Sequence, residues 1–269
     1  MLTNEVSEEG KSYFENSVEL IQVITPFKDK NSLIFQIFKN LILFFKFKKI
    51  INENKVNLVL AAKNFPMAIF LKKYSKSKFK LFLREAVDPF VAVKNQRFYI
   101  SRKFIIYLKK KLYPSADKII AISEGVKKTL VNEFKIKANK IDVIYNPAAD
   151  HRILEMAKEK VEENYFNKNF NIINIGRLTK QKDHITLLKA LKIVLKKIQC
   201  NLLIIGEGSE KKNINKFIID NNLEDNVNLA GYKSNPWKYL YRSDLFVLSS
   251  IWEGFGNVIV ESMILGVPV

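Results

Sequence analysis

The chain has a single cysteine, Cys200, and only two histidines, His151 and His184. One thiol excludes an internal disulfide framework. So small a His/Cys set cannot assemble a zinc site or a histidine-based catalytic triad. No Asp-x-Asp pair occurs anywhere, so the carboxylate pair that commonly holds a divalent metal against a diphosphate is missing as well. No stretch is rich enough in Pro, Gly and Ser to be a flexible linker, and no fixed-period repeat appears. No apolar segment followed by small residues opens the chain as a signal peptide would. With the lone cysteine, this predicts a reduced, cytoplasmic setting.

What is present is apolar material. At 48% of 269 residues it can bury one large core or two of ordinary domain size, and 27% charged residues is too few for wholesale disorder. The net charge of +18 is unevenly spread. Residues 1–150 carry 28 Lys/Arg against 14 Asp/Glu, and residues 151–269 carry 17 against 13. Such a bias makes the first half suited to an anionic partner, whether nucleic acid, an acidic membrane surface or a phosphorylated substrate. A Lys-rich solvated surface is the plain alternative.

In the second half strand and helix patterns alternate. NIINIG (171–176), NLLIIG (201–206), VNLAG (227–231) and DLFVLSS (244–250) read as buried strands. Between them, Asp183 caps a helix over 184–197 and Ser209 opens EKKNINKFIID. Asn235-Pro236 starts WKYLYR, with Asn235 as the cap and Pro236 at the first helical position. A further helix runs from about Asn257 to Leu265 and stops at Gly266, with VPV beginning another strand. The first half is similar in kind, with strands predicted over 18–24, 56–62, 80–85, 118–124 and 140–146. Asn146-Pro147 marks a turn, followed by the polar connector helix HRILEMAKEKVEENY. The alternation predicts an α/β chain of parallel, doubly wound sheets, with a domain over 1–147, a connector over 148–169 and a domain over 170–269.

The segment LIFQIFKNLILFFKFKKI (33–50) is interrupted by Lys39 and Asn40 too early for a membrane span. It reads either as a basic, aromatic helix lying on a membrane surface or as a core-facing helix of the sheet.

In open α/β sheets ligands bind beyond the carboxyl ends of the strands, and three loops fall there. GRLTKQK (176–182) places Arg177 and Lys182 where a forked guanidinium and a point-charge ammonium suit two linked phosphates. IGEGSE (205–210) is a Gly-x-Gly turn without the third glycine of a dinucleotide fingerprint, so it reads as a tight structural turn. EGFGNVIVE (253–261) sets a glycine-rich turn and a helix start between two carboxylates. Free N–H groups and the positive end of the helix dipole there suit an anion. Glu253 precedes the turn and Glu261 lies further along the helix, so an acid–base dyad on one bond is a poor fit. Each carboxylate instead accepts hydrogen bonds from a different set of hydroxyls.

Together, ADKIIAISEGVKKTL, KIDVIYNP, IGRLTKQKDHITLLKAL, LLIIGEGSE, VNLAGY and SDLFVLSSIWEGFGNVIVESMILGVPV resemble the family 4 retaining glycosyltransferases of GT-B fold. The resemblance covers roughly residues 56–269. It implies two Rossmann-like domains facing a cleft, the nucleotide-sugar donor being held mainly by the second. By match, Arg177 and Lys182 would contact the donor diphosphate, and Glu253 would face the transferred sugar. The backbone of Phe255, Gly256, Asn257 and Val258 would close on sugar and phosphates, and Glu261 would bond the ribose. The resemblance also implies transfer with retention of configuration, no metal, and a UDP-sugar rather than a GDP-sugar as the commoner donor. The acceptor would be a glycan or lipid-linked glycan of surface polysaccharide or lipopolysaccharide synthesis, and the charge asymmetry with the 33–50 helix sets the first half toward the anionic inner face of a membrane. No nucleic-acid-binding motif is present. Two departures stand out. The family's first strand with its glycine-rich loop has no counterpart, and the chain stops at GVPV, before the segments that members continue with. The sequence thus reads as truncated at both ends, with a non-catalytic remnant that keeps nucleotide binding as the alternative. The histidine that some members carry near the end of a first-domain strand is absent from LREAVDP (83–89).

Overall fold

Strands such as NIINI carry apolar residues on both sides of the pleat, so each must be covered on two faces, and parallel pairing with crossover helices achieves that. The computed structural model describes residues 2–3, 21–22, 33–62, 64–94, 99–148, 150, 152–161, 165 and 169–269. The chain divides into two compact units, Met1–Ile144 and Tyr145–Val269.

In the first unit, β1 (Leu2–Thr3) and β2 (Ile21–Gln22) pair in parallel. The rest of the strand predicted over 18–24 lies outside the described residues. Then follow α1 (Leu33–Glu53), β3 (Leu58–Ala61), α2 (Phe65–Tyr74), β4 (Lys80–Glu85), α3 (Pro89–Lys94), α4 (Tyr99–Leu112), β5 (Lys118–Ala121), α5 (Glu124–Asn132) and β6 (Ile141–Val143). The main sheet has the order β3-β4-β5-β6, every pair parallel. β5 is shorter than its 118–124 apolar run because Ser123 caps α5, its Oγ accepting the Val126 N–H at 3.3 Å.

Helix α1 turns one face to the core and leaves another exposed. Leu43 and Ile51 are buried in the unit, whereas Phe38, Leu41 and Phe45, spaced i, i+3, i+7, are 53%, 50% and 59% exposed. Among the described residues, no helix is long and apolar enough to cross a membrane.

The second unit contains α6 (Arg152–Ala157), β7 (Phe170–Ile175), α7 (His184–Val194), β8 (Cys200–Ile205), α8 (Lys211–Asp220), β9 (Val227–Gly231), α9 (Trp237–Leu240), β10 (Leu245–Phe246) and α10 (Asn257–Ile264). Its sheet order is β10-β7-β8-β9, again all parallel. Successive β8 residues point to opposite layers. Leu202 and Ile204 pack with Leu187, Leu188, Leu191, Ile214 and Ile218 of α7 and α8. Leu203 and Ile205 pack with Tyr239, Leu240, Phe246 and Leu265, on the side of α9 and α10. Helices on both faces of a parallel sheet make the α/β doubly wound architecture.

Several boundaries differ from the sequence pattern. The 244–250 strand is regular only at Leu245–Phe246, because its later residues turn away to meet the loop after β7. The terminal VPV is not a regular strand, although the Pro268 carbonyl accepts the Phe246 N–H at 2.8 Å. Helix α8 starts at Lys211 with Glu210 in the cap position, one residue later than Ser209 implies. Pro236, not Asn235, is the cap of α9, since the Asn235 carboxamide is spent on the Met156 carbonyl at 2.8 Å. The connector helix is confined to Arg152–Ala157.

Strand order is what creates a site. From β7 the chain moves outward through β8 to β9, then returns to place β10 on the other side of β7. The crevice at the carboxyl ends of β7 and β10 is therefore the topological switch point, where open parallel sheets bind ligands.

Candidate functional site

Two loops leave that crevice, residues 176–183 after β7 and 247–256 after β10, and hydrogen bonds stitch them together. The Ile251 N–H donates to the Gln181 carbonyl at 2.8 Å, the Gln181 carboxamide to the Trp252 carbonyl at 2.9 Å, and Ser249 Oγ to the Lys182 carbonyl at 2.7 Å. Asn174, on β7 itself, donates to the Val247 carbonyl at 2.7 Å. The Lys182 stem crosses Gly176, where a Cβ would stand 3.4 Å from its Cε, and its ammonium reaches Glu253 Oε1 at 2.5 Å. Lys182 and Glu253 are thus paired with each other, both side chains largely buried.

Arg177 behaves differently. It is exposed, and its guanidinium makes no hydrogen bond or ion pair with another described residue. Its five donors remain available.

Helix α10 begins at Asn257 without a side-chain cap. Among the described residues, the N–H groups of Phe255, Gly256 and Val258 donate to no backbone oxygen, and the Asn257 N–H turns back to the Phe255 carbonyl. That leaves three N–H donors without a backbone acceptor at the start of an eight-residue helix, an arrangement that suits an anion. At Gly256 a Cβ would lie 2.8 Å from Ile259 Cδ1, the tip of a side chain that can shift.

Glu261 is held apart from Glu253. It sits on the second turn of α10, half-buried, with Oε2 accepting the Trp237 indole N–H at 2.8 Å. Burial pushes its carboxyl above the usual carboxylate range, and the indole hydrogen bond partly offsets that.

The Gly-x-Gly turn after β8 supports the β7 loop from below. Gly206 has φ +148°, and a Cβ there would stand 1.9 Å from the Gly176 carbonyl oxygen. At Gly208 a Cβ would be 2.3 Å from the Leu178 carbonyl. The Leu178 N–H donates to the Glu207 carbonyl and the Glu210 N–H to the Leu178 carbonyl, at 3.0 and 2.9 Å. Both glycines allow close backbone approach rather than ligand contact. His184 is buried at the start of α7 behind the same loop. Burial first, then the nearby Lys182 charge, lower its pKa.

The first unit offers no comparable set at LREAVDP. Glu85, buried at the end of β4, accepts from the Tyr113 hydroxyl and from Lys109 Nζ, the latter at 3.2 Å. Asp88 accepts from the Phe90 and Val91 N–H groups, both at 2.9 Å, and from Thr129 Oγ1 at 2.5 Å. Both acids are consumed by the fold. A polar cavity of about 170 Å³ in the second unit, lined by Asn201, Glu224, Asp225 and Asn228, opens at the amino ends of β7–β9, away from the switch point.

Two residues not predicted as site residues meet the loop after β10 and the start of α10. The Asn146 carboxamide donates to Asn257 Oδ1 at 2.9 Å, and the Tyr145 ring lies 5.6 Å from that of Phe255. The Asn-Pro turn signal marked this place but not its contacts.

Residues 6–152 match the model described as Glycosyltransferase Family 4, and residues 155–269 match the one described as Glycosyl transferases group 1. The chain belongs to the GT-B glycosyltransferases. An uncharacterized glycosyltransferase of Methanocaldococcus jannaschii is 35% identical over 255 residues, covering 90% of this chain and 61% of that protein. The N-acetylgalactosamine-N,N'-diacetylbacillosaminyl-diphospho-undecaprenol 4-alpha-N-acetylgalactosaminyltransferase of Campylobacter jejuni is 34% identical over 238 residues, covering 88% and 63%. The chain therefore spans about three-fifths of the length of these glycosyltransferases. Among solved structures, a point mutant of S. aureus TarM in complex with fondaparinux, alpha-GlcNAc-glycerol and UDP superposes with TM-score 0.65 at 26% identity, covering 86% of this chain and 44% of TarM.

Proposed function

We propose that this glycosyltransferase moves a hexosyl group from a nucleotide-sugar, a UDP-sugar before a GDP-sugar, to a glycan or lipid-linked acceptor with retention of configuration. The observation that carries the reading is the anion-suited helix start at the switch point. The N–H groups of Phe255, Gly256 and Val258, which donate to no backbone oxygen among the described residues, follow directly on the loop whose Glu253 pairs with Lys182. A diphosphate placed there is neutralised by two cations and a helix start, so no metal is required. Glu253 then accepts from hydroxyls of the transferred sugar and Glu261 from the ribose diol. The Campylobacter relative's diphospho-undecaprenol acceptor and the UDP in the TarM complex support the choice of partners, within surface polysaccharide or lipopolysaccharide synthesis.

In this reading the acceptor hydroxyl oxygen bonds to the anomeric carbon on the face from which the diphosphate oxygen departs. The hydroxyl proton passes to that leaving oxygen. Lys182 exchanges Glu253 for the phosphate as negative charge grows there, and the preset N–H groups stabilise the same charge. The test is a screen of UDP- and GDP-sugars with the full-length protein, reading product configuration by proton NMR. A product with the donor's anomeric configuration is expected. The opposite anomer would exclude retention, and nucleotide binding without turnover of any donor would favour a non-catalytic protein.

The same reading sets the basic first unit on an anionic membrane at the inner face of the cell. The exposed Phe38–Leu41–Phe45 stripe of α1, and Phe104 and Tyr107 of α4 among Lys103, Lys110 and Lys111, supply apolar and cationic contacts. Co-sedimentation should favour vesicles containing anionic lipid over neutral ones. Equal recovery with both would remove the membrane from the account.

A further inference from the structure

Glu261 is held by a side chain from a separate crossover of the sheet. Trp237 opens α9, which follows β9, and its ring packs among the partly buried residues on the Tyr239–Leu240–Leu265 core. Its indole N–H donates to Glu261 Oε2 at 2.8 Å, and Oε1 has no partner among the described residues. A terminal carboxylate torsion is broad, so an unrestrained Glu261 would sample many orientations. One fixed oxygen locks the plane and leaves the other to accept. The indole is donor-only and does not titrate in the working range, so its hydrogen bond favours the ionised, hydroxyl-accepting form against the effect of burial. Half-burying a carboxylate with one oxygen unmet is costly for a merely structural contact.

We infer that Trp237 is a positioning residue for nucleoside recognition, aiming the free oxygen of Glu261 at the ribose hydroxyls of the donor. This rests on the reading above, in which Glu261 receives the ribose.

The test compares a ribonucleoside diphosphate with its 2′-deoxy form by calorimetry, using UDP and 2′-deoxy-UDP, or the guanosine pair if that nucleotide binds. The wild-type protein should prefer the ribo form by about tenfold or more, the scale of a hydrogen bond to a charged group. Trp237→Phe keeps the ring and removes the donor. It should lose most of that preference while its affinity for the 2′-deoxy form stays within about twofold, which also reports an intact fold. Trp237→His restores a ring N–H and should recover part of the preference, and it serves if the Phe variant fails to fold. Full ribo preference in Trp237→Phe overturns the inference while leaving the ribose site standing. If Glu261→Gln also keeps full preference, the ribose assignment itself fails and this inference falls with it.

Discussion

Alanine at Lys182 should lower kcat/KM for sugar transfer by the full-length protein by about 10²–10³-fold, the scale of deleting one preset donor to a developing oxyanion. The ammonium lies 2.5 Å from Glu253 Oε1, in a crevice where both side chains are largely buried. Removing it strips the leaving diphosphate of a cation and leaves Glu253 without its partner. Both effects act on the transition state more than on the fold, because Leu188, Leu203 and Phe246, which hold the sheet together, lie in the two core layers. Lys182→Arg should recover only part of the rate, since a planar fork does not reproduce a compact point charge over Gly176. A loss below about tenfold in the alanine variant would mean that Lys182 is a surface cation paired with Glu253 and nothing more.

Alanine at Arg177 should weaken donor binding by about 10- to 150-fold, as expected for losing charge-assisted hydrogen bonds to phosphate worth roughly 1.5–3 kcal/mol. Arg177 is exposed and has no partner among the described residues, so its removal should leave the melting temperature unchanged. The wild-type affinity should also fall as salt rises, because an exposed guanidinium is screened within about 10 Å at 0.1 M. That salt sensitivity should flatten in the Arg177→Ala protein.

The doubly wound pattern was legible because β7 and β8 are short, mostly apolar runs punctuated by Gly176 and Gly206, and α7 repeats its apolar face at helical spacing. The site loops were legible because chemistry-bearing residues stand just past those runs. What the pattern could not carry depends on contacts made at a distance. β10 is short because Ile251 is drawn toward Gln181, and no local propensity encodes that bond. Asn235 looks like a helix cap until its carboxamide is seen bonded to Met156, 79 residues away. The Lys182–Glu253 pair joins residues 71 apart, and Trp237 meets Glu261 across 24. Each is fixed by strand order, which periodicity does not specify. Helix α1 shows another limit: one face serves the core and another stays bare, a division decided by packing and not by composition.

The central claim is that the crevice between β7 and β10 holds a nucleotide-sugar, with Arg177 on its diphosphate and Glu261 on its ribose. The most direct measurement is isothermal calorimetry of UDP- and GDP-sugars on the intact protein and on its Arg177→Ala and Glu261→Ala variants. The account predicts saturable binding of one nucleotide class by the intact protein, weakened about 10- to 150-fold in Arg177→Ala with an unchanged melting temperature, and about tenfold or more in Glu261→Ala. Unchanged affinity in both variants would contradict it.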